Sequence, residues 1–272
     1  MSGAPERTPA FTALVMAGSR PTGDPLARAA GVAHKALAPV AGRPMLAHVL
    51  DALHAATAVR RVVICGLPPE LARGEPALRA IDAARPLEMI AGGATPGASV
   101  GVAIDTLALA PPLLITTADH PLLTAAMVDE FCAASTALAG ADVSFGLAPG
   151  ERVAALFPGI RRTHYRFRDG AFCGCNLYGL LTPAGCTAPA AWMRVEQGRK
   201  RPWRMVGALG PRVLIRFLLG RLTLDEVTAL IRRRIGLWAR PVHLSDPAAG
   251  FDVDTVEQQR AAEDYLRQAL RP

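Results

Sequence analysis

Through the first half of the chain, short apolar runs alternate with stretches in which apolar positions recur every three or four residues. The runs fit strands buried on both faces and the recurrences fit helices packed over them, so the alternation predicts an α/β fold with a mostly parallel sheet. Phe11–Ala17, Arg61–Cys65, Leu87–Ala91, Leu113–Thr117 and Asp142–Leu147 are the expected strands. Met45–Ala56, Ser99–Leu109 and Ala125–Leu138 are the expected helices, with Pro44 in the first turn of one and Thr124 as the N-cap of another.

After residue 150 the rhythm changes. Tyr165–Arg168 and Phe172–Leu180 read as strands joined by a turn at Asp169-Gly170. Trp192–Arg240 reads as helical and rich in arginine, an insertion (about 188–240) before a last strand at Pro241–Leu244. Asp254–Leu270 closes the chain as an amphipathic helix. The expectation is a flexible tail over residues 1–10 and one Rossmann-like domain over 11–272, with helices on both faces of the sheet.

Composition narrows the class. The 272 residues are 51% hydrophobic, enough for a substantial core, and carry a net charge of +7. Only Lys35 and Lys200 are lysines, so the charge is almost wholly arginine. Such a chain suits acidic small molecules, phosphates first, and we do not read the charge as a nucleic-acid site. No run approaches the roughly 20 apolar residues of a spanning helix, and Met1–Ala10 lacks a signal-like apolar region. With five cysteines in no framework spacing, the expectation is a cytoplasmic protein. Cys173 and Cys175 are too close in sequence to chelate zinc well, and read as small residues in a strand.

Candidate chemistry gathers at predicted strand ends. The first strand runs into Ala17-Gly18-Ser19-Arg20-Pro21-Thr22-Gly23, where glycines let backbone N–H groups approach a phosphate and Arg20 adds charge. It is neither a GxGxxG nor a Walker sequence. Lys35 follows, between this loop and an apolar anchor, a placement that suits charge stabilisation of a phosphoryl group. Asp119 ends the fourth strand in Thr117-Ala118-Asp119-His120-Pro121; a carboxylate there can hold Mg²⁺ or cap a turn.

A strand ending in Ala-Gly, a loop with arginine and glycine, and then Lys35-x-Leu37-x-Pro39-x-x-Gly42-x-Pro44-Met45-Leu46 resembles the MobA-like NTP transferase family. Molybdenum-cofactor nucleotidyltransferases and, more distantly, sugar-phosphate and methylerythritol-phosphate cytidylyltransferases belong to it. The resemblance implies a GT-A-like version of the fold, with Ala17, Gly18, Ser19, Arg20, Gly23 and Lys35 around the NTP phosphates. The usual loop reads Ala-Gly-Gly-x-Gly-x-Arg; Ser19 departs from it, Arg20 comes early, and Arg28 is a rival for the arginine's place.

Three later segments fit the same resemblance. Gly93 and Ser99 lie in a stretch similar to the loop that recognises base and ribose, although Ser99 also reads as a helix cap. Asp119 resembles the Asp-x-Pro metal element. Gly250-Phe251-Asp252-Val253-Asp254-Thr255 resembles the closing element that supplies a second ligand for Mg²⁺ or Mn²⁺. Extended alternation sends Asp252 and Asp254 to opposite sides, and of the two Asp252 is preferred for the metal. Asn176 resembles the asparagine that lines the acceptor pocket, and is equally readable as part of an interior strand.

The function implied is Mg²⁺-dependent transfer of an NMP from an NTP, CTP or GTP, to a small phosphorylated acceptor. The acceptor would be gripped by Asn176 and, from the insertion, Lys200 and Trp203. The mix of arginines and apolar residues over Trp203–Leu222 also admits contact with an anionic membrane surface, the lesser reading. Two rivals remain: a GT-A glycosyltransferase, which normally carries Asp-x-Asp after the central strand rather than last, and a non-catalytic nucleotide-binding regulator.

Overall fold

The computed structural model describes residues 10–19, 23–191, 213, 215, 216 and 219–269. Its main sheet contains β1 (Phe11–Met16), β4 (Val59–Cys65), β5 (Glu88–Ile90), β6 (Leu113–Thr117), β7 (Val143–Pro149), β8 (Tyr165–Phe167), β9 (Gly170–Leu180) and β10 (Ala239–His243). The order is β10-β7-β9-β6-β1-β4-β5, with β8 paired to β9 off this path. Pairing is parallel among β5, β4, β1 and β6 and between β7 and β10. β9 alone runs antiparallel to its neighbours β6, β7 and β8. A tight hairpin, β2 (Pro39–Val40) and β3 (Arg43–Pro44), stands apart as a second sheet.

The apolar runs form strands because both faces are covered. Ala13, Val15, Ile64 and Leu114 point into one core cluster, while Leu14, Val63, Cys65, Leu113 and Ile115 point into another. Period-2 alternation thus feeds two cores from the same strands, which is why the runs look continuous in sequence. Leu46, Leu50 and Leu53 of α2 (Met45–Ala55) and Phe131 of α6 (Ala125–Ala137) fill the first core. Val100 and Ala103 of α5 (Pro96–Thr106) cover the second. Each fully buried leucine contributes about 1.5–3 kcal/mol relative to exposure.

Element boundaries moved for local reasons. β4 begins at Val59, two residues early, because Arg60 and Arg61 lie exposed on the strand and Arg61 forks onto Glu88 of β5 at 2.8 and 2.6 Å. Thr124 does cap α6, accepting from the Met127 N–H at 3.3 Å. The prolines after β4 open helices rather than only turning the chain. Pro69 and Pro76 sit in the first turns of α3 (Pro69–Gly74) and α4 (Pro76–Ala84), where a missing N–H costs nothing. Two further short helices, α1 (Pro25–Ala29) and α7 (Gly150–Leu156), were not foreseen.

Within the expected insertion, α8 (Leu224–Ile235) is helical, opened by a Thr223/Glu226 capping box and closed by Gly236 at φ 80°. Most of the rest of that segment lies outside the described residues, as does the N-terminal tail over residues 1–9. α9 (Val256–Ala269) ends the described chain. No helix among the described residues is long and apolar enough to cross a membrane.

Candidate functional site

The C-terminal ends of β1, β4 and β5 meet in a patch of glycine backbone. A Cβ on Gly66 would lie 3.0 Å from the Gly18 Cα, and one on Gly92 would lie 3.1 Å from the Gly66 Cα. Gly66 also holds φ at 93°, a value that L side chains rarely adopt. The result is a side-chain-free floor at the sheet edge where ligands of open parallel sheets bind. Ala17 is buried beneath it, donating to the Cys65 carbonyl at 2.8 Å, while Gly18, Ser19 and Gly23 are exposed above. Arg20 lies outside the described residues. Its rival Arg28 reaches the loop: a Cβ on Gly23 would come within 3.0 Å of the Arg28 Nη1.

Ser99 belongs to the wall of this floor. Its hydroxyl accepts from the Gly93 N–H at 2.9 Å and donates to the Thr95 carbonyl at 3.0 Å. The residue is 4% exposed, so it shapes the Gly93 loop from within. Gly93 is needed for closeness, since a Cβ there would lie 2.8 Å from the Ala98 Cβ. The cap of α5 is Thr95, whose hydroxyl accepts from the Ala98 N–H at 3.2 Å.

Beside the floor, charged groups from four distant segments converge. Lys35 opens a short 3₁₀ turn whose N-cap is His34, and its stem is largely enclosed. Its ammonium donates to Asp119 Oδ2 at 2.5 Å and to Asp254 Oδ1. Asp119 follows β6, and its carbonyl accepts from the Val253 N–H at 2.9 Å, which ties the closing segment to the strand end. Arg162, from the loop between α7 and β8, pairs with Asp252 Oδ1. Carboxylate oxygens of Asp119, Asp252 and Asp254 all lie within 4.8 Å of one another.

Both closing aspartates therefore face the cluster, contrary to the alternation argument. Residues 251–254 are not in a strand, so a period of two does not govern them. Burial would lower the Lys35 pKa, but Asp119 and Asp254 outweigh it and raise it. Burial would likewise raise Asp252, yet the Arg162 guanidinium holds it below the usual carboxylate range. His120, buried beneath, is pushed down by desolvation against the pull of Asp252 and Asp119. The Ala248 backbone favours its protonated form, but among the described residues neither ring nitrogen makes a hydrogen bond of good geometry.

Among the described residues, three carboxylates against Lys35 and Arg162 leave one negative charge uncompensated, and Asp119 Oδ1 is buried without a partner. Hard oxygen donors with spare charge and a spare oxygen fit Mg²⁺ or Mn²⁺.

Asn176 marks where β9 leaves β6. The β6 pairing ends at Ile115↔Tyr178, and against β7 the register jumps from Phe145↔Tyr178 to Leu147↔Gly174. Asn176 sits in this bulge at φ 50°, a conformation asparagine tolerates, on the same edge as Asp119. Among the described residues the buried Thr116 and Thr117 hydroxyls of β6 have no hydrogen-bond partner. Lys200 and Trp203 lie outside the described residues. Arg162, Gly66 and Gly92 were not foreseen as site residues. A glycine directly after a predicted strand was a usable signal for the last two, whereas nothing distinguished Arg162 from the other arginines.

Residues 13–213 match the MobA-like NTP transferase domain. The chain belongs to that family. A solved structure described as a hypothetical transferase from Thermus thermophilus is similar at 32% identity and a TM-score of 0.76, covering 92% of this chain and 99% of that one. Among curated relatives, 2-C-methyl-D-erythritol 4-phosphate cytidylyltransferases of Cereibacter sphaeroides strains are 37% identical over 131 residues. That match covers 47% of this chain and 55% of the relative, so the chain spans about half the length of the curated relatives it matches. At 12% identity, a CMP:2-keto-3-deoxy-manno-octonic acid synthetase complexed with CTP shares the fold, with a TM-score of 0.56 over 97% of this chain and 100% of that one.

Proposed function

We propose that this chain is a nucleotidyltransferase that moves a nucleoside monophosphate, CMP in first place, from the NTP to a small phosphorylated acceptor. The observation that carries the reading is the convergence of Lys35, Asp119 and Asp254 beside the glycine floor. The preference for CTP over GTP follows the curated relatives, which are cytidylyltransferases.

Asp119, with Asp254 or Asp252, would hold Mg²⁺ or Mn²⁺. Bound there, the ion offsets charge on the triphosphate. The backbone of Gly18, Ser19 and Gly23, with Arg20 or Arg28, would cradle the phosphates, and Lys35 would offset charge gathering at the α-phosphorus. An oxygen of the acceptor's phosphate attacks that phosphorus. The new P–O bond forms as the bond to the bridging oxygen breaks, and pyrophosphate leaves with the electron pair. A phosphate is already ionised near neutral pH, so no base is required. Positioning and electrostatics carry such chemistry. Asn176, Lys200 and Trp203 are the proposed acceptor contacts.

The test is a thermal-shift panel of CTP, GTP, ATP and UTP with and without Mg²⁺, on the wild type and Asp119→Ala, followed by pyrophosphate release with the best nucleotide. A ligand at 100 times its Kd stabilises by about 2.7 kcal/mol. Stabilisation by one NTP that needs Mg²⁺ and is lost in the variant supports the reading. Stabilisation by nucleotide sugars alone points instead to the glycosyltransferase, and Mg²⁺-independent binding without turnover to the regulator.

A further inference from the structure

The segment that brings Asp252 and Asp254 to the site has no secondary structure of its own between Phe251 and Asp254, yet it must present carboxylates to within a few tenths of an ångström. Arg162 supplies the constraint. Its Nη1 donates to the Asp252 carbonyl at 2.8 Å and its Nη2 to the Gly250 carbonyl at 2.8 Å, while Nη2 also pairs with Asp252 Oδ1. The guanidinium lies 5.1 Å from the Phe251 ring centroid, and that ring stacks in turn on Phe157 at 3.9 Å. Gly250 is wedged against Cys173, Val153 and Ala148. Only 10% of the Arg162 side chain is exposed.

Resting on the metal-dependent reading above, we propose that Arg162 is a positioning residue that gives the two aspartates different tasks. It claims Asp252 as an internal counter-ion and backbone clamp, and leaves the half-exposed Asp254 as the carboxylate that joins Asp119 around a divalent cation. The charges agree. Asp252 is matched by a guanidinium that also grips the surrounding backbone, so releasing it would strand a buried cation. Among the described residues Asp254 is matched by the Lys35 ammonium alone, a compact charge on a flexible stem that can move to a phosphate when a metal ion replaces it. The planar fork of arginine reaches two backbone carbonyls and a carboxylate oxygen from nitrogens set apart in fixed directions, whereas lysine has a single nitrogen to offer all three.

The experiment is Mn²⁺ binding followed by electron paramagnetic resonance, in the presence of CTP and below the unfolding midpoint, on the full chain. Arg162→Met should weaken Mn²⁺ by about 10- to 100-fold, the range for ligands' supporting partners, and Asp254→Asn, which alters a ligand, by at least as much. Asp252→Asn retains an oxygen that can accept from Arg162, so its loss should stay below about tenfold. Arg162→Lys should recover part of the affinity, through charge without the fork. A purely structural role for Arg162 would lower the unfolding midpoint of Arg162→Met and leave Mn²⁺ affinity of the folded protein unchanged, which overturns the proposal. So does an Asp252→Asn loss as large as that of Asp254→Asn. If Arg162→Met does not fold, the comparison of the two aspartate variants decides alone. Absent Mn²⁺ binding by the wild type, or full binding by Asp119→Asn, defeats the metal-dependent reading itself and is recognisable as that.

Discussion

The Lys35 ammonium lies 2.5 Å from a carboxylate oxygen of Asp119, although 84 residues separate them in sequence. The contact joins the 3₁₀ turn that follows the first loop to the tip of β6, and Asp254 closes on the same ammonium from the far end of the chain. A cation is thus already wanted where the two carboxylates meet.

Replacing Lys35 by methionine keeps the stem and removes the charge. Nucleotide transfer should fall by about 10²–10³, the usual cost of one preorganised electrostatic group. Metal binding should persist or strengthen, because the variant no longer competes for Asp119 and Asp254. Mn²⁺ titration alongside pyrophosphate release separates the two effects; equal loss of both would contradict the assignment.

Gly66→Ala forces a Cβ to within 3.0 Å of the Gly18 Cα at a φ of 93°. We expect a stability loss of about 1–3 kcal/mol from strain and crowding. Nucleotide binding should weaken as well, since the backbone that must yield is the loop proposed to cradle the phosphates. Denaturant titration and the thermal-shift panel read these separately.

Asp129 on α6 accepts from the Thr57 N–H and hydroxyl, both at 3.0 Å, and from the Ala58 N–H at 2.9 Å, fastening the α2–β4 connection. Asp129→Ala should lower stability by about 1–3 kcal/mol. The nucleotide response should be unchanged, which makes this variant a control for damage unrelated to the site.

Burial pushes the Cys65 thiol up to about 11 and that of Cys132 to about 12, from an ordinary value of 9.0. A pKa raised in the folded state contributes stability that is intact below the unfolded value and lost as pH climbs towards the folded one. Unfolding midpoints should therefore drop from about pH 9 upwards. In native protein at pH 8, Ellman's reagent should titrate at most the partly exposed Cys186, and all five cysteines after denaturation. Rapid reaction of several thiols in folded protein would refute this.

Much of this arrangement is legible in the sequence, for physical reasons. Strands buried on both faces leave uninterrupted apolar runs, and Asp119 and Lys35 stand at the ends of segments whose type the pattern identifies. The antiparallel insertion of β9 was not legible, because pairing direction depends on partners that periodicity does not name. That Asp252 and Asp254 both face the cluster was not legible, because alternation does not govern a stretch that is not a strand. Asn176 faces the edge through one left-handed residue, which asparagine permits but does not announce. Arg162 acts through three acceptors on another segment, and no local pattern encodes that.

The closing segment has a consequence for the order in which the protein becomes competent. β6 and Asp119 belong to the first half of the chain, whereas Asp252 and Asp254 are reached only near its end. A chain growing from the ribosome could pair β1, β4, β5 and β6 and enclose much of its core while its cation cluster still lacked two of three carboxylates. Synthesis would thus deliver the glycine floor first and two of the three carboxylates only later, so a partly made chain has the floor without the full cluster proposed to govern it.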